Sequence, residues 1–133
     1  MKKTSLALAL LTIAVLLTAG ANAQTDASPV KNTIWKAWLD QLNDSIALHI
    51  TDDSSFVTTS NGDTVVRSVC KMSADTLLLS DYDGQYACTG ITGKYKVSFD
   101  NDVMTTALIE DACEGRAGSI NNLKWRKSQP ATK

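Results

Sequence analysis

GKYKVSFDNDVMTTALIEDACEGRAGSINNLKWRK, residues 93–127, decides how this chain folds. Tyr95, Val97 and Phe99 alternate with Lys94, Lys96 and Ser98, which is the period of a half-buried strand. Asp100-Asn101-Asp102 supplies a turn, and Val103 to Glu110 is a second β-rich run. On that run Met104, Thr106 and Leu108 share one face and Val103, Thr105, Ala107 and Ile109 the other. The pattern leaves open which of the two turns inward. A compact segment, Asp111 to Arg116, precedes a third run that ends on Leu123, Lys124, Trp125 and Arg126. Three strands of a meander therefore sit at the C-terminal end and need partners upstream.

The upstream chain supplies them. Thr33 to Leu42 reads two ways, because Ile34, Trp35, Trp38, Leu39 and Leu42 also fit helical spacing. A strand over Thr33–Trp38, with Trp35, Ala37 and Leu39 on one face, is the reading favoured; a short helix is its rival. Ile46, Leu48 and Ile50 alternate with Ala47 and His49, and Phe56 opens the next strand facing inward. Asn61-Gly62 is a hairpin signal, since both residue types accept positive φ. Val66, Ser68, Cys70 and Met72 fall on one face of Thr64–Met72, and Leu77-Leu78-Leu79 marks a central strand. Asp81 to Gly90 reads as loop. About eight short strands joined by short turns predict an all-β, antiparallel up-and-down meander closed into a barrel, because closure removes exposed edges. Eight strands enclose an interior just wide enough for side chains or one small ligand.

Met1 to Ala23 reads as a signal peptide: Lys2 and Lys3, an apolar run from Leu6 to Leu17, then Ala21-Asn22-Ala23. A signal helix, cleavage near Ala23-Gln24 and export to the periplasm or beyond the cell are expected, with no membrane insertion afterwards. Residues 24–32 read as a disordered lead-in, 33–128 as the barrel domain and 129–133 as a tail. Removing Lys2 and Lys3 leaves 11 basic residues of 13 against 14 acidic ones, so the mature net charge is -3. No basic stripe is present to neutralise phosphates, which argues against nucleic acid.

Cys70, Cys88 and Cys113 allow three pairings. Cys88–Cys113 is preferred because both residues flank turns, whereas Cys70 sits mid-strand and suits burial as a small hydrophobe. Cys70–Cys88 stays open as the competing pair.

The layout resembles the lipocalin-like, or calycin, proteins of small exported bacterial domains. The resemblance rests on Trp35 at the start of the first strand, on Ile50–Phe56, on Gly93-Lys94-Tyr95-Lys96-Val97, and on Asp111–Arg116 followed by Trp125. The Gly that precedes the family's Trp is absent here, where Thr33 and Ile34 stand. The resemblance implies a barrel that binds a small, largely apolar molecule. It also implies that a late basic residue, Arg116 or Arg126, closes the floor over Trp35 by a cation–π contact. The inward set expected to form the ligand site is Leu48, Phe56, Val66, Leu77, Leu79, Tyr95, Val97, Phe99 and Leu108, with Ile50 and Leu123 beside them. The alternative is a non-enzymatic interaction or inhibitor module with a filled core, meeting a protein partner through its loops.

Catalytic groups do not assemble from this sequence. His49 is the only histidine and lies on the polar face of its strand. An EF-hand loop opening at Asp81 needs a Glu at position 92, where Thr92 stands. Glu110 and Asp111 are adjacent and so point to opposite faces. Asp111 is expected to accept backbone N–H bonds or to pair with Arg116. No enzyme activity, cofactor or metal is expected.

Overall fold

The computed structural model describes residues 28–129. It contains eight antiparallel strands in sequential order, closed into one barrel. They are β1 (Thr33–Leu39), β2 (Asp44–Ile50), β3 (Ser54–Thr58), β4 (Thr64–Ser73), β5 (Thr76–Asp83), β6 (Thr92–Asp100), β7 (Val103–Glu110) and β8 (Leu123–Ser128). One short helix, α1 (Glu114–Ile120), connects β7 to β8. The expected signal peptide, with its helix and cleavage site, lies outside the described residues.

Closure is made by β8 returning to β1, where Trp35 pairs with Lys127 and Lys36 with Arg126. No edge strand remains, so every backbone ladder in the barrel has a neighbour on both sides. The ambiguous first segment is a strand. Trp35, Ala37 and Leu39 point inward, and Trp38 points out. The segment 28–32, expected to be a disordered lead-in, instead forms a turn in which Lys31 N–H donates to Ser28 O at 3.1 Å. It drives Val30 into the core with 1% exposure, so apolar burial outweighs the polar character of its neighbours.

Short connections keep the strands sequential. Asn43 and Asn101 adopt positive φ in two of them, a conformation that Asn tolerates better than most residues. The Asn61-Gly62 connection departs from the two-residue hairpin expected. Gly62 N–H donates to Thr59 O at 3.0 Å, and only Gly62 takes positive φ, so a longer loop forms.

Three register shifts interrupt the ladders; one lies between Lys94 and Tyr95, and two bear on the cavity wall. One falls where Val57 pairs with Val66 but Thr58 pairs with Thr64. The other falls where Ser68 pairs with Asp81 but Arg67 pairs with Asp83. Each inserts a residue and reverses the alternation beyond it. Val65, Ser68 and Cys70 are thus all buried on β4. On β7 the open choice resolves to Met104 and Thr106 inside, with 0% and 1% exposure.

The two ends of the barrel differ. At one end Trp35 packs on Phe99, with ring centroids 5.9 Å apart. The other end carries the long β5–β6 connection, α1 and a disulfide between Cys88 and Cys113. This is the preferred pairing; Cys70 is a free, buried thiol.

Candidate ligand-binding site

The barrel holds a cavity of about 490 Å³ that opens at one end. Leu48, Val57, Val65, Leu77, Leu79 and Trp125 give it a largely apolar wall, and α1 lies across its mouth through Arg116, Ser119 and Ile120.

Of the nine residues expected to form a ligand site, Leu48, Val66, Leu77 and Leu79 line the cavity. Tyr95 and Val97 are buried but are not on its wall. Phe56 is a correction: it pairs with His49 and stacks on it at 4.3 Å on the outer surface. Ser55 and Val57 take the inward positions of β3. Phe99 packs against Trp35 at the far end and stays 40% exposed. Leu108 shares the face of Met104 and Thr106 but stands at the rim, also 40% exposed.

The expected floor contact also needs correction. Arg126 is exposed beside inward-facing Trp125, so alternation places it on the outside, away from the ring of Trp35. Arg116 belongs to the mouth. Its Nε donates to Asp111 Oδ2 at 2.6 Å and its Nη2 to Asp111 Oδ1 at 2.9 Å and Ile91 O at 3.0 Å. Nη1 lies 2.7 Å from Asp81 Oδ2, at ion-pair distance, without an N–H aligned on it. The three side chains are 9%, 0% and 1% exposed for Arg116, Asp111 and Asp81.

This cluster is a clamp on the lid. Asp81 Oδ2 accepts the Cys88 N–H at 2.9 Å, and Asp111 Oδ1 accepts the Cys113 N–H at 2.9 Å. Each carboxylate therefore positions one half of the disulfide, and Arg116 ties the carboxylates together. Tyr95 Oη donates to Asp111 Oδ2 from inside the barrel. Gly93 makes room for this arrangement, since a Cβ there would stand 2.3 Å from Asp111 Oδ2. Burial opposes ionisation of Asp111, but hydrogen bonds from Arg116, Tyr95 and Cys113 outweigh it and hold the carboxyl below its ordinary range. Burial, reinforced by Asp111, pushes the Tyr95 phenol upward, so it stays a donor. The sequence signalled the Asp111 interactions; Asp81 reads as loop, but β5 runs on to Asp83 and keeps the inward alternation of Leu77 and Leu79 through Asp81, with the bulge only beyond it.

A seven-residue helix containing Gly115 and Gly118 is not stable alone. Thr106 Oγ1 donates to Ile120 O at 2.6 Å, and Asn121 Oδ1 accepts the Leu108 N–H at 3.0 Å. With the disulfide and Arg116, these bonds hold α1 against the rim.

His49 takes no part in the cavity. Its Nε2 lies 3.1 Å from Thr58 Oγ1, and burial followed by the charge of Lys36 lowers its pKa. Burial pushes the Cys70 thiol up to about 11. Cys70 should therefore not react with a thiol-exchange reagent at pH 8 in the native protein, and one thiol per chain should appear in denaturant. Rapid native labelling would contradict its placement.

Comparison with models of protein families, with curated proteins and with solved structures returned no significant match. The closed eight-stranded barrel is compatible with a lipocalin-like fold. The disulfide is consistent with export, and among the described residues no helix is long and apolar enough to cross a membrane.

Proposed function

We propose that this protein is an exported, non-enzymatic carrier that binds a small, largely apolar molecule inside the barrel. The observation that carries the reading is the cavity. At about 490 Å³ with a mainly apolar wall and a few convergent polar groups, it matches the size and chemistry of small-molecule sites. A lid held by a disulfide and a buried ion-pair cluster narrows the opening to that interior. Binding would gain from removing the ligand's apolar surface from water.

Cavity filling tests this. Leu79→Trp inserts bulk into a wall position of the cavity. The fluorescent apolar probe N-phenyl-1-naphthylamine should bind the wild-type chain, and Leu79→Trp should weaken it more than tenfold. Overpacking normally costs about 1–3 kcal/mol, and free volume should keep this substitution near the lower end. Equal probe affinity in a folded variant would place the binding site elsewhere.

A second reading rests on the rim. Trp38, Tyr82 and Ile109 are 55%, 54% and 54% exposed at the strand ends that surround the mouth. Aromatic and aliphatic groups there favour contact with a protein that delivers or receives the ligand. Mixing experiments with extracts of the source cell, comparing wild type with Trp38→Ser, Tyr82→Ser and Ile109→Ser, would separate this reading from a free carrier.

A further inference from the structure

We infer that the barrel's ligand carries an uncharged hydroxyl on its apolar body, and that this group lies on the Ser55–Ser68 pair. The inference rests on the carrier reading and narrows it to a ligand class: long-chain or cyclic alcohols in preference to fatty acids or amines.

The evidence is a polar row crossing an apolar wall. Ser55 on β3 is the direct partner of Ser68 on β4, and Ser68 is the direct partner of Asp81 on β5. All three line the cavity and are at most 4% exposed. The next inward neighbours on the same strands, Val57, Val65 and Leu79, are apolar. Ser68 Oγ donates its only proton to Asp81 Oδ1 at 2.7 Å, so it offers lone pairs to anything else that approaches. The Ser55 hydroxyl has the Cys70 thiol as its neighbour, and sulfur is a weak partner. Ser55 can therefore turn its proton to a better acceptor. A ligand hydroxyl completes both: it donates to Ser68 Oγ and accepts from Ser55 Oγ.

Charge selects against the other headgroups. Arg116 is shared between Asp81 and Asp111, which leaves the mouth cluster with one negative charge in excess. A carboxylate on the serine pair would stand one cross-strand spacing, about 5 Å, from Asp81 and find no free cation. An ammonium is drawn by that excess charge, but Ser68, the Cys88 N–H and Arg116 already take three of the roughly four acceptor sites of Asp81, which leaves one carboxylate site for its three N–H donors. Two hydroxyls do not compensate a buried charge of either sign.

Displacement of N-phenyl-1-naphthylamine from the full mature chain tests this at pH 8 with three twelve-carbon ligands: 1-dodecanol, dodecanoate and dodecylammonium. Dodecanol should bind at least tenfold more tightly than either charged chain. Ser55→Ala should weaken dodecanol by roughly 2–10-fold, the worth of one neutral hydrogen bond. Either charged chain matching dodecanol overturns the headgroup assignment and leaves the carrier reading standing. Undiminished dodecanol affinity in Ser55→Ala with a wild-type melting curve overturns the serine contact. Failure of the probe and all three chains to bind overturns the carrier reading, and this inference with it.

Discussion

Arg116→Met should destabilise the protein by about 3–5 kcal/mol at pH 7, because it leaves two buried carboxylates without their shared cation. Asp111 and Asp81 side chains are 0% and 1% exposed, so both carboxylates are largely desolvated when the guanidinium is removed. The melting temperature should fall by roughly 10–20 °C for a domain of this size. Methionine keeps most of the aliphatic stem, so the loss reports mainly on charge and hydrogen bonding. Arg116→Lys should recover only part of it, since an ammonium cannot reproduce the two-pronged contact of Nε and Nη2 with Asp111.

The pH dependence gives the same test a sign. Asp111 is held below its ordinary value in the folded state, so it contributes stability above the unfolded carboxyl pKa of about 3.9. That contribution disappears as pH falls through the lower, folded value. The wild-type chain should therefore lose stability below about pH 4. The gap between wild type and Arg116→Met should narrow in the same range, because protonation removes the uncompensated charges. A variant that melts within a degree or two of wild type at pH 7 would show that the cluster is hydrated, contrary to its burial here.

Replacing both Cys88 and Cys113 by Ala should cost about 3.5 kcal/mol, the chain-entropy value for a link spanning 25 residues. The effect should be local as well as global. Amide exchange should accelerate over 113–121, which the bond anchors, while β1 to β4 keep their protection once the change in overall stability is allowed for. The two devices hold the same lid, since Asp81 and Asp111 each bind the backbone of one cysteine. Combining the Ala pair with Arg116→Met should therefore give a non-additive loss. Strict additivity would mean that the ionic clamp and the covalent link act on separate parts of the fold.

The corrections among the inward residues share one cause. Alternation assigns residues to two faces of a strand but does not say which face is inside, and one extra residue exchanges them. On β3 the choice lay between Phe56 and the pair Ser55 and Val57; hydrophobicity favours Phe56, yet it stacks on His49 outside. On β4 the bulge turns Val65 inward, whereas Ser68 and Asp81 reach the apolar interior by plain alternation with Cys70 and with Leu77 and Leu79, although polar residues are not expected there from their chemistry alone. Helix α1 was missed for a related reason. Gly115 and Gly118 weaken its local signal, and what makes it helical is its docking through Arg116, Thr106 and Asn121. Arg116 itself was legible as a partner of Asp111 five residues away, a contact within one short segment.

Local order determined the approximate number of strands and their sequential pairing, because period-two patterning and turn chemistry act over a few residues; it favoured Cys88–Cys113 but left Cys70–Cys88 open, and the structure decided between them. Tertiary closure alone decided which faces point inward, that a cavity of about 490 Å³ remains, and that Asp81 and Asp111 converge on Arg116 at its mouth. These features join residues on β3, β4, β5, α1 and the segment before it, which meet only when several strand pairings and the docking of α1 are in place together.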